Sequence, residues 1–131
     1  MYDFLQAISL QETFLVTIGG LIGSFLRFYL LEFMFLFSSK RYIGTIFVNS
    51  LSTFLLSLIL ASGKGISLSF PAYYIFIMIG LLGSLSTFST FIIEVLNSFL
   101  DKAWKEGFEI IVLSIILSMI MSWLGFFVRS I

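Results

Sequence analysis

The chain has 131 residues with seven Lys+Arg, seven Asp+Glu, no His and no Cys, and its formal net charge is zero. Hydrophobic residues make up 60% and charged residues 11%, less than half the share of about 25% usual in a soluble domain. That balance excludes a disordered chain, a nucleic-acid binder and an ordinary soluble enzyme, and the missing Cys and His exclude disulfide, thiolate–metal and imidazole chemistry.

The charges fall in clusters, and the gaps between them measure the elements. Residues 42–63, 65–93 and 110–128 carry no Asp, Glu, Lys or Arg, in runs of 22, 29 and 19 residues; a helix needs about 20 to cross a bilayer core. A fourth apolar stretch, from about Thr13 to Phe37, is interrupted by Arg27 and Glu32. The expectation is an all-α, multi-pass membrane protein forming one domain over 1–131, with spans at about 13–37, 42–62, 71–100 and 106–128. Without a basic n-region, the first span does not read as a cleavable signal peptide. The third is longer than a straight crossing requires and is therefore tilted or broken. Pro71 suits its first turn, where a missing N–H costs little. Short connectors carry Ser38-Ser39-Lys40-Arg41, Ser62-Gly63-Lys64-Gly65 and Asp101-Lys102.

Orientation follows loop Lys and Arg. One side holds Lys64 and Arg129, the other Lys40, Arg41, Lys102 and Lys105. So small a bias leaves two readings open, a single weakly fixed orientation or insertion both ways round. Four short spans hardly enclose a pathway alone, which points to an oligomer; insertion both ways would make an antiparallel dimer available.

Polar groups at membrane depth mark function or helix packing. In span 1, Gly19/Gly23 and Gly20/Ser24 form small-xxx-small pairs suited to close packing. Arg27 either snorkels to an interface or pairs with Glu94 or a helix end. Span 2 carries Thr45, Asn49, Thr53 and Ser57 at four-residue spacing, a slowly drifting stripe. Local back-bonding accounts for its hydroxyls, but the Asn49 amide needs a second helix or a wet cavity. Span 4 repeats the pattern with Ser114, Ser118 and Ser122. Span 3 is densest: Gly83 and the run Ser84-Leu85-Ser86-Thr87-Phe88-Ser89-Thr90-Phe91 weaken a helix and offer substitutes for lost hydrogen bonds. A break there would free carbonyls able to coordinate a hard cation such as Na⁺; the alternative is an intact, bent helix. Phe88 and Phe91 share a helix face among these hydroxyls, and a ring's positive edge lets an anion approach without a formal charge.

Three blocks resemble the Fluc (CrcB-type) fluoride channels: Gly19-Gly20-Leu21-Ile22-Gly23-Ser24-Phe25-Leu26-Arg27-Phe28, then Gly44-Thr45-Ile46-Phe47-Val48-Asn49, then Gly80 through Phe91. The likeness runs in order along essentially the whole chain, and the third block is the most specific. It implies four spans with a broken third helix and a dual-topology antiparallel homodimer, in some organisms a heterodimer of paired homologues. Two separate pores would pass F⁻ passively across the cell membrane, reject Cl⁻ and drain cytoplasmic fluoride. The resemblance places pore residues at Asn49, Phe88, Phe91, Thr45 and Ser118, and a structural Na⁺ on the backbone carbonyls of Gly83 and Ser86. Two positions depart from the family pattern: Ser84 replaces the second Gly of a Gly-Gly, and Ser52 replaces a small Gly after the pore Asn.

A proton-coupled four-helix drug exporter is the principal rival. It requires a titratable acid in its cavity, and span 1 has none between Thr13 and Leu26. A structural protein held by small-residue faces would not need the Asn49 and Ser118 stripes.

Overall fold

The computed structural model describes residues 10–61 and 72–130; Pro71 and the Ser62-Gly63-Lys64-Gly65 connector lie outside the described residues. Helix α1 spans Leu10–Phe37 and α2 spans Arg41–Ala61. The third crossing is composite. Its first part, α3, covers residues 72–85 and consists of Ala72–Tyr74, a π-helical stretch Ile75–Leu82 and a last turn Gly83–Leu85. Helix α4 spans Phe88–Leu100 and α5 spans Trp104–Ser130. Four crossings, Leu10–Phe37, Arg41–Ala61, Ala72–Leu100 and Trp104–Val128, are long and apolar enough for a bilayer. The expected spans match these within about three residues; α1 begins earlier than Thr13 and α5 starts at Trp104 instead of residue 106.

The chain leaves helical geometry between α3 and α4. Ser86 (φ −74°, ψ 143°) and Thr87 (φ −140°, ψ 126°) are extended. Gly83, expected together with the Ser84–Phe91 run to weaken this crossing, itself remains helical at φ −63°, ψ −34°, and the break falls within that run. Thr87 then caps α4, its Oγ1 accepting from the Thr90 N–H at 3.5 Å. At its other end α4 closes with Ala103 N–H donating to the Ser98 carbonyl at 2.8 Å around a left-handed Lys102 (φ 58°), the geometry of a Schellman cap.

Packing is pairwise. Helix α1 lies mainly on the π-helical part of α3, and α2 lies mainly on α5. The first seam is made by backbone meeting backbone. A methyl added at Gly19 would stand 2.6 Å from the Phe76 carbonyl oxygen, and one at Gly80 would stand 2.9 Å from the Gly19 Cα. A methyl at Gly23 would overlap the Leu81 carbonyl and the Ser84 hydroxyl. Close approach of this kind replaces the hydrophobic drive that lipid cannot supply between helices. Gly20 of the second pair makes no such approach: nothing lies within 4 Å of a methyl there, and the half-buried Ser24 donates its Oγ back to the Gly20 carbonyl at 2.8 Å. The α2–α5 seam closes at Gly125, where a methyl would stand 2.7 Å from the Phe54 carbonyl, and at a 3.0 Å hydroxyl pair between Ser57 and Ser122.

The α1–α2 and α4–α5 connectors meet on one side of the bundle. Lys40 Nζ lies 3.0 Å from Glu106 Oε1 and donates to the Tyr42 hydroxyl at 3.2 Å. The hydrogen bond to Glu106, then that to Tyr42, holds the Lys40 ammonium above the ordinary lysine range. Two small cores flank the break: Tyr42, Ile46, Val95 and Ile110 on one side, and Val48, Leu82 and Leu85 on the other.

The glycine seam gives a direct test. Gly19→Ala should lower the thermal midpoint of the detergent-purified protein, the overpacking costing about 1–3 kcal/mol. Gly20→Ala should stay within about 0.5 kcal/mol of the parent; equal effects of the two would contradict the seam.

Candidate functional site

Asn49 is the residue that holds the break. From α2 its side-chain carbonyl Oδ1 accepts the Thr87 backbone N–H at 2.8 Å and the Ser86 hydroxyl at 3.2 Å, while Nδ2 donates to the Thr87 carbonyl at 3.0 Å. One amide thus pairs both main-chain groups of Thr87, as a neighbouring strand would. In an unbroken helix the Thr87 N–H would bond the Gly83 carbonyl four residues earlier; diverting it to Asn49 releases that oxygen. Likewise, the Thr90 N–H turns to the Thr87 hydroxyl instead of the Ser86 carbonyl. Ser86 N–H still donates to the Leu82 carbonyl at 3.2 Å, so the ladder ends there.

Beside this clamp runs a groove of about 290 Å³ lined by Asn49, Thr53, Ser86, Thr87, Phe88, Phe91, Ser114, Ile115 and Ser118. Each wall has a local cause. The i, i+4 spacing of Asn49 and Thr53 on α2, and of Ser114 and Ser118 on α5, points both pairs into the space between those helices. The start of α4 places Phe88 and Phe91 on one face, with ring centroids 5.9 Å apart and planes inclined by 39°. The rings differ in setting: Phe91 packs against the Tyr42–Val95–Ile110 core, whereas Phe88 is 74% exposed.

Every wall residue is formally neutral, and the donors are not exhausted. Asn49 commits one Nδ2 hydrogen to Thr87, and its other has no acceptor among the described residues. Ser114 Oγ is buried with no hydrogen-bond partner there. Thr53 bonds back to the Asn49 carbonyl at 2.9 Å. The arrangement presents an amide donor, hydroxyls and aromatic edges to one narrow space, a set suited to a small, strongly accepting anion.

Among the sequence-predicted pore residues, the structure brings Asn49, Phe88, Phe91 and Ser118 together and sets Thr45 apart. The Thr45 hydroxyl donates to Glu94 Oε1 at 2.8 Å, in a separate cavity of about 180 Å³ that also contains Arg41 and Glu32. Glu94 therefore takes Thr45, not Arg27, as its hydrogen-bond partner. Thr87 and Ser114 were not chosen as site residues from sequence. Ser114 had a usable signal in its four-residue spacing from Ser118; Thr87 is placed by its backbone, which spacing does not report. Ser84, where the family pattern has Gly, sits on the α1 seam and bonds the Leu81 carbonyl at 3.2 Å. Ser52 bonds the Val48 carbonyl at 2.9 Å within α2.

With this geometry in hand, comparison with known proteins is decisive. The profile of the family described as CrcB-like protein, Camphor Resistance (CrcB), matches residues 14–126. The chain belongs to the CrcB family. Among similar proteins named fluoride-specific ion channel FluC, that of Shewanella loihica is 38% identical over 111 residues, covering 84% of this chain and 89% of that protein. The Shewanella frigidimarina protein is 38% identical over 117 residues, covering 88% and 94%. That of Shewanella sediminis is 40% identical over 111 residues, covering 84% and 89%.

Removing the clamp tests the site. Asn49→Ala leaves the Thr87 N–H and carbonyl without partners at membrane depth, at about 1–3 kcal/mol for each group. The Thr87 amide should exchange its hydrogen much faster and the unfolding midpoint in denaturing detergent should fall. Unchanged exchange at Thr87 would mean that the break does not depend on Asn49.

Proposed function

We propose that this chain is a subunit of a passive, fluoride-selective channel in the cell membrane, and that the Asn49–Phe88–Phe91–Ser118 groove is one wall of its pore. The observation that carries the reading is a membrane-depth groove whose walls combine unspent hydrogen-bond donors with aromatic edges and carry no charge. Membership of the CrcB family and the names of its FluC relatives point the same way.

Fluoride is small and strongly hydrated, so its dehydration must be offset by close donors. Conduction also requires that no site be deep. Neutral amide and hydroxyl donors meet both conditions, and ring edges extend a weakly positive path between them. Thr45 stands one turn along α2 from Asn49 and serves the approach to the groove, with its hydroxyl held by Glu94.

The reading includes an antiparallel, dual-topology dimer, either of one chain or of this chain with a paired homologue. The groove is open on the side where Phe88 projects, and the open space at Gly20 gives a second helix room to approach. The released carbonyls of Gly83 and Ser86 fit a hard cation, because carbonyl oxygen is the donor that Na⁺ prefers and both have lost their helical partners. When bound, such an ion would supply fixed positive charge and tie the break in place.

Purified protein in liposomes should discharge a KF gradient, followed with a fluoride electrode, at least about tenfold faster than a KCl gradient and without a proton gradient. Phe88→Ile and Phe91→Ile should each cut fluoride efflux by about tenfold, equivalent to about 1.4 kcal/mol, with the oligomer intact by size exclusion. Strict coupling to protons, or wild-type efflux in both variants, would contradict the reading.

A further inference from the structure

Beyond the groove, the 180 Å³ cavity described above lies one turn along α2 and gathers three charged side chains. Glu32 of α1, Arg41 of α2 and Glu94 of α4 all line it, together with the hydroxyls of Thr45 and Thr90. It adjoins the groove through hydroxyls: Thr90 Oγ1 is 3.5 Å from Thr87 Oγ1, and Thr87 lines the groove. An anion leaving the groove along α2 therefore meets this cavity next.

Its charges are unfavourable for that traffic unless balanced. Glu94 spends one carboxylate oxygen on Thr45, and the other is buried with no hydrogen-bond partner among the described residues. Glu32 adds a second carboxylate. Arg41 is the single cation on the cavity wall. Its guanidinium carbon sits 5.3 Å from the centroid of the Phe35 ring, which holds the long side chain against the cavity. A guanidinium is weakly hydrated for a cation, so it supplies counter-charge in such a space at a modest desolvation cost.

We propose that the Arg41–Glu32–Glu94 cavity is the charged antechamber of the groove, and that Arg41, by offsetting one of its two carboxylates, is the residue that sets the rate at which an anion passes it. The inference rests on the reading that the groove conducts fluoride. Arg41 does not touch the neutral donors of the groove. It acts as a positioning charge, reducing the repulsion that Glu94 and Glu32 would exert on an approaching anion. The simpler role, a snorkelling interface anchor, predicts no dependence of Arg41 effects on Glu94.

The test uses full-length protein in liposomes at low ionic strength, with a fluoride electrode. Arg41→Gln should lower efflux about three- to tenfold, within the range that focused charge exerts on ion traffic, while Arg41→Lys stays within about twofold of wild type. The Arg41→Gln deficit should narrow when a non-permeant salt is raised to about 0.5 M, because screening is nearly complete there. Adding Glu94→Gln to Arg41→Gln should recover most of the lost rate. Should Arg41→Gln fail to assemble, Glu32→Gln, at an exposed position, carries the test by raising efflux above wild type at low salt. Equal rates for wild type and Arg41→Gln at low salt would overturn the proposal while leaving the channel reading intact. So would a deficit that neither salt nor Glu94→Gln relieves, or a Glu32→Gln rate at or below wild type. A wild-type protein that passes no fluoride would overturn both.

Discussion

Opening a helix inside a bilayer exposes an N–H and a carbonyl where no water can satisfy them, and the rest of this structure depends on how that is met. Asn49 meets both demands from a neighbouring helix. The location of the break is therefore decided by α2 as much as by the third crossing, and α2 cannot move along α4 without unpairing Thr87. Because the same amide lines the groove, the residue that stabilises the fold also presents a donor to whatever enters. The fold's stability and the groove's lining are joined at one side chain, and the groove residues of the third crossing take their positions from it: Thr87 by capping α4, and Phe88 and Phe91 by following that cap at fixed spacing.

The four crossings were legible because charge marks the water boundary, and their bounds needed little beyond the gaps between clusters. The need of Asn49 for a partner was legible too, since an amide in lipid cannot be met by its own helix. Its partner was not, because the contact with Thr87 is 38 residues distant and leaves no local pattern. The stripe Thr45, Asn49, Thr53 and Ser57 read as one face. Four residues advance a helix by about 400°, so each step drifts about 40°, and over three steps the stripe turns through four environments: Glu94, the break, its own backbone and Ser122. That drift is why Thr45 leaves the groove. Gly20 and Ser24 share the small-residue spacing of Gly19 and Gly23, yet about 100° of rotation turns them away from α3.

The break falls within the run the sequence marks, Gly83 through Phe91, but not at Gly83 itself: a glycine costs a helix only about 1 kcal/mol, less than hydrogen bonds lost in lipid. Opening occurs instead where compensation exists, at Ser86 and Thr87, with Asn49 on one side and the Thr87 cap on the other. The π-helical stretch Ile75–Leu82 was invisible because seven of its eight residues are apolar, and a uniformly apolar run reports no period. Its wider turn is recognised only by what it does, bringing the Phe76 carbonyl and Gly80 onto Gly19.

The distribution of charge gives the architecture its chemical sense. Within the groove, binding strength must stay modest, and amides, hydroxyls and ring edges provide attraction without a deep well. Within the adjoining cavity, full charges of both signs line one space, Arg41 against Glu32 and Glu94. The two spaces therefore differ in kind: the groove offers many weak neutral donors, whereas the cavity sets one guanidinium against two carboxylates. Phe91 is seated in the core beside Tyr42, Val95 and Ile110, whereas Phe88, on the same groove, is exposed.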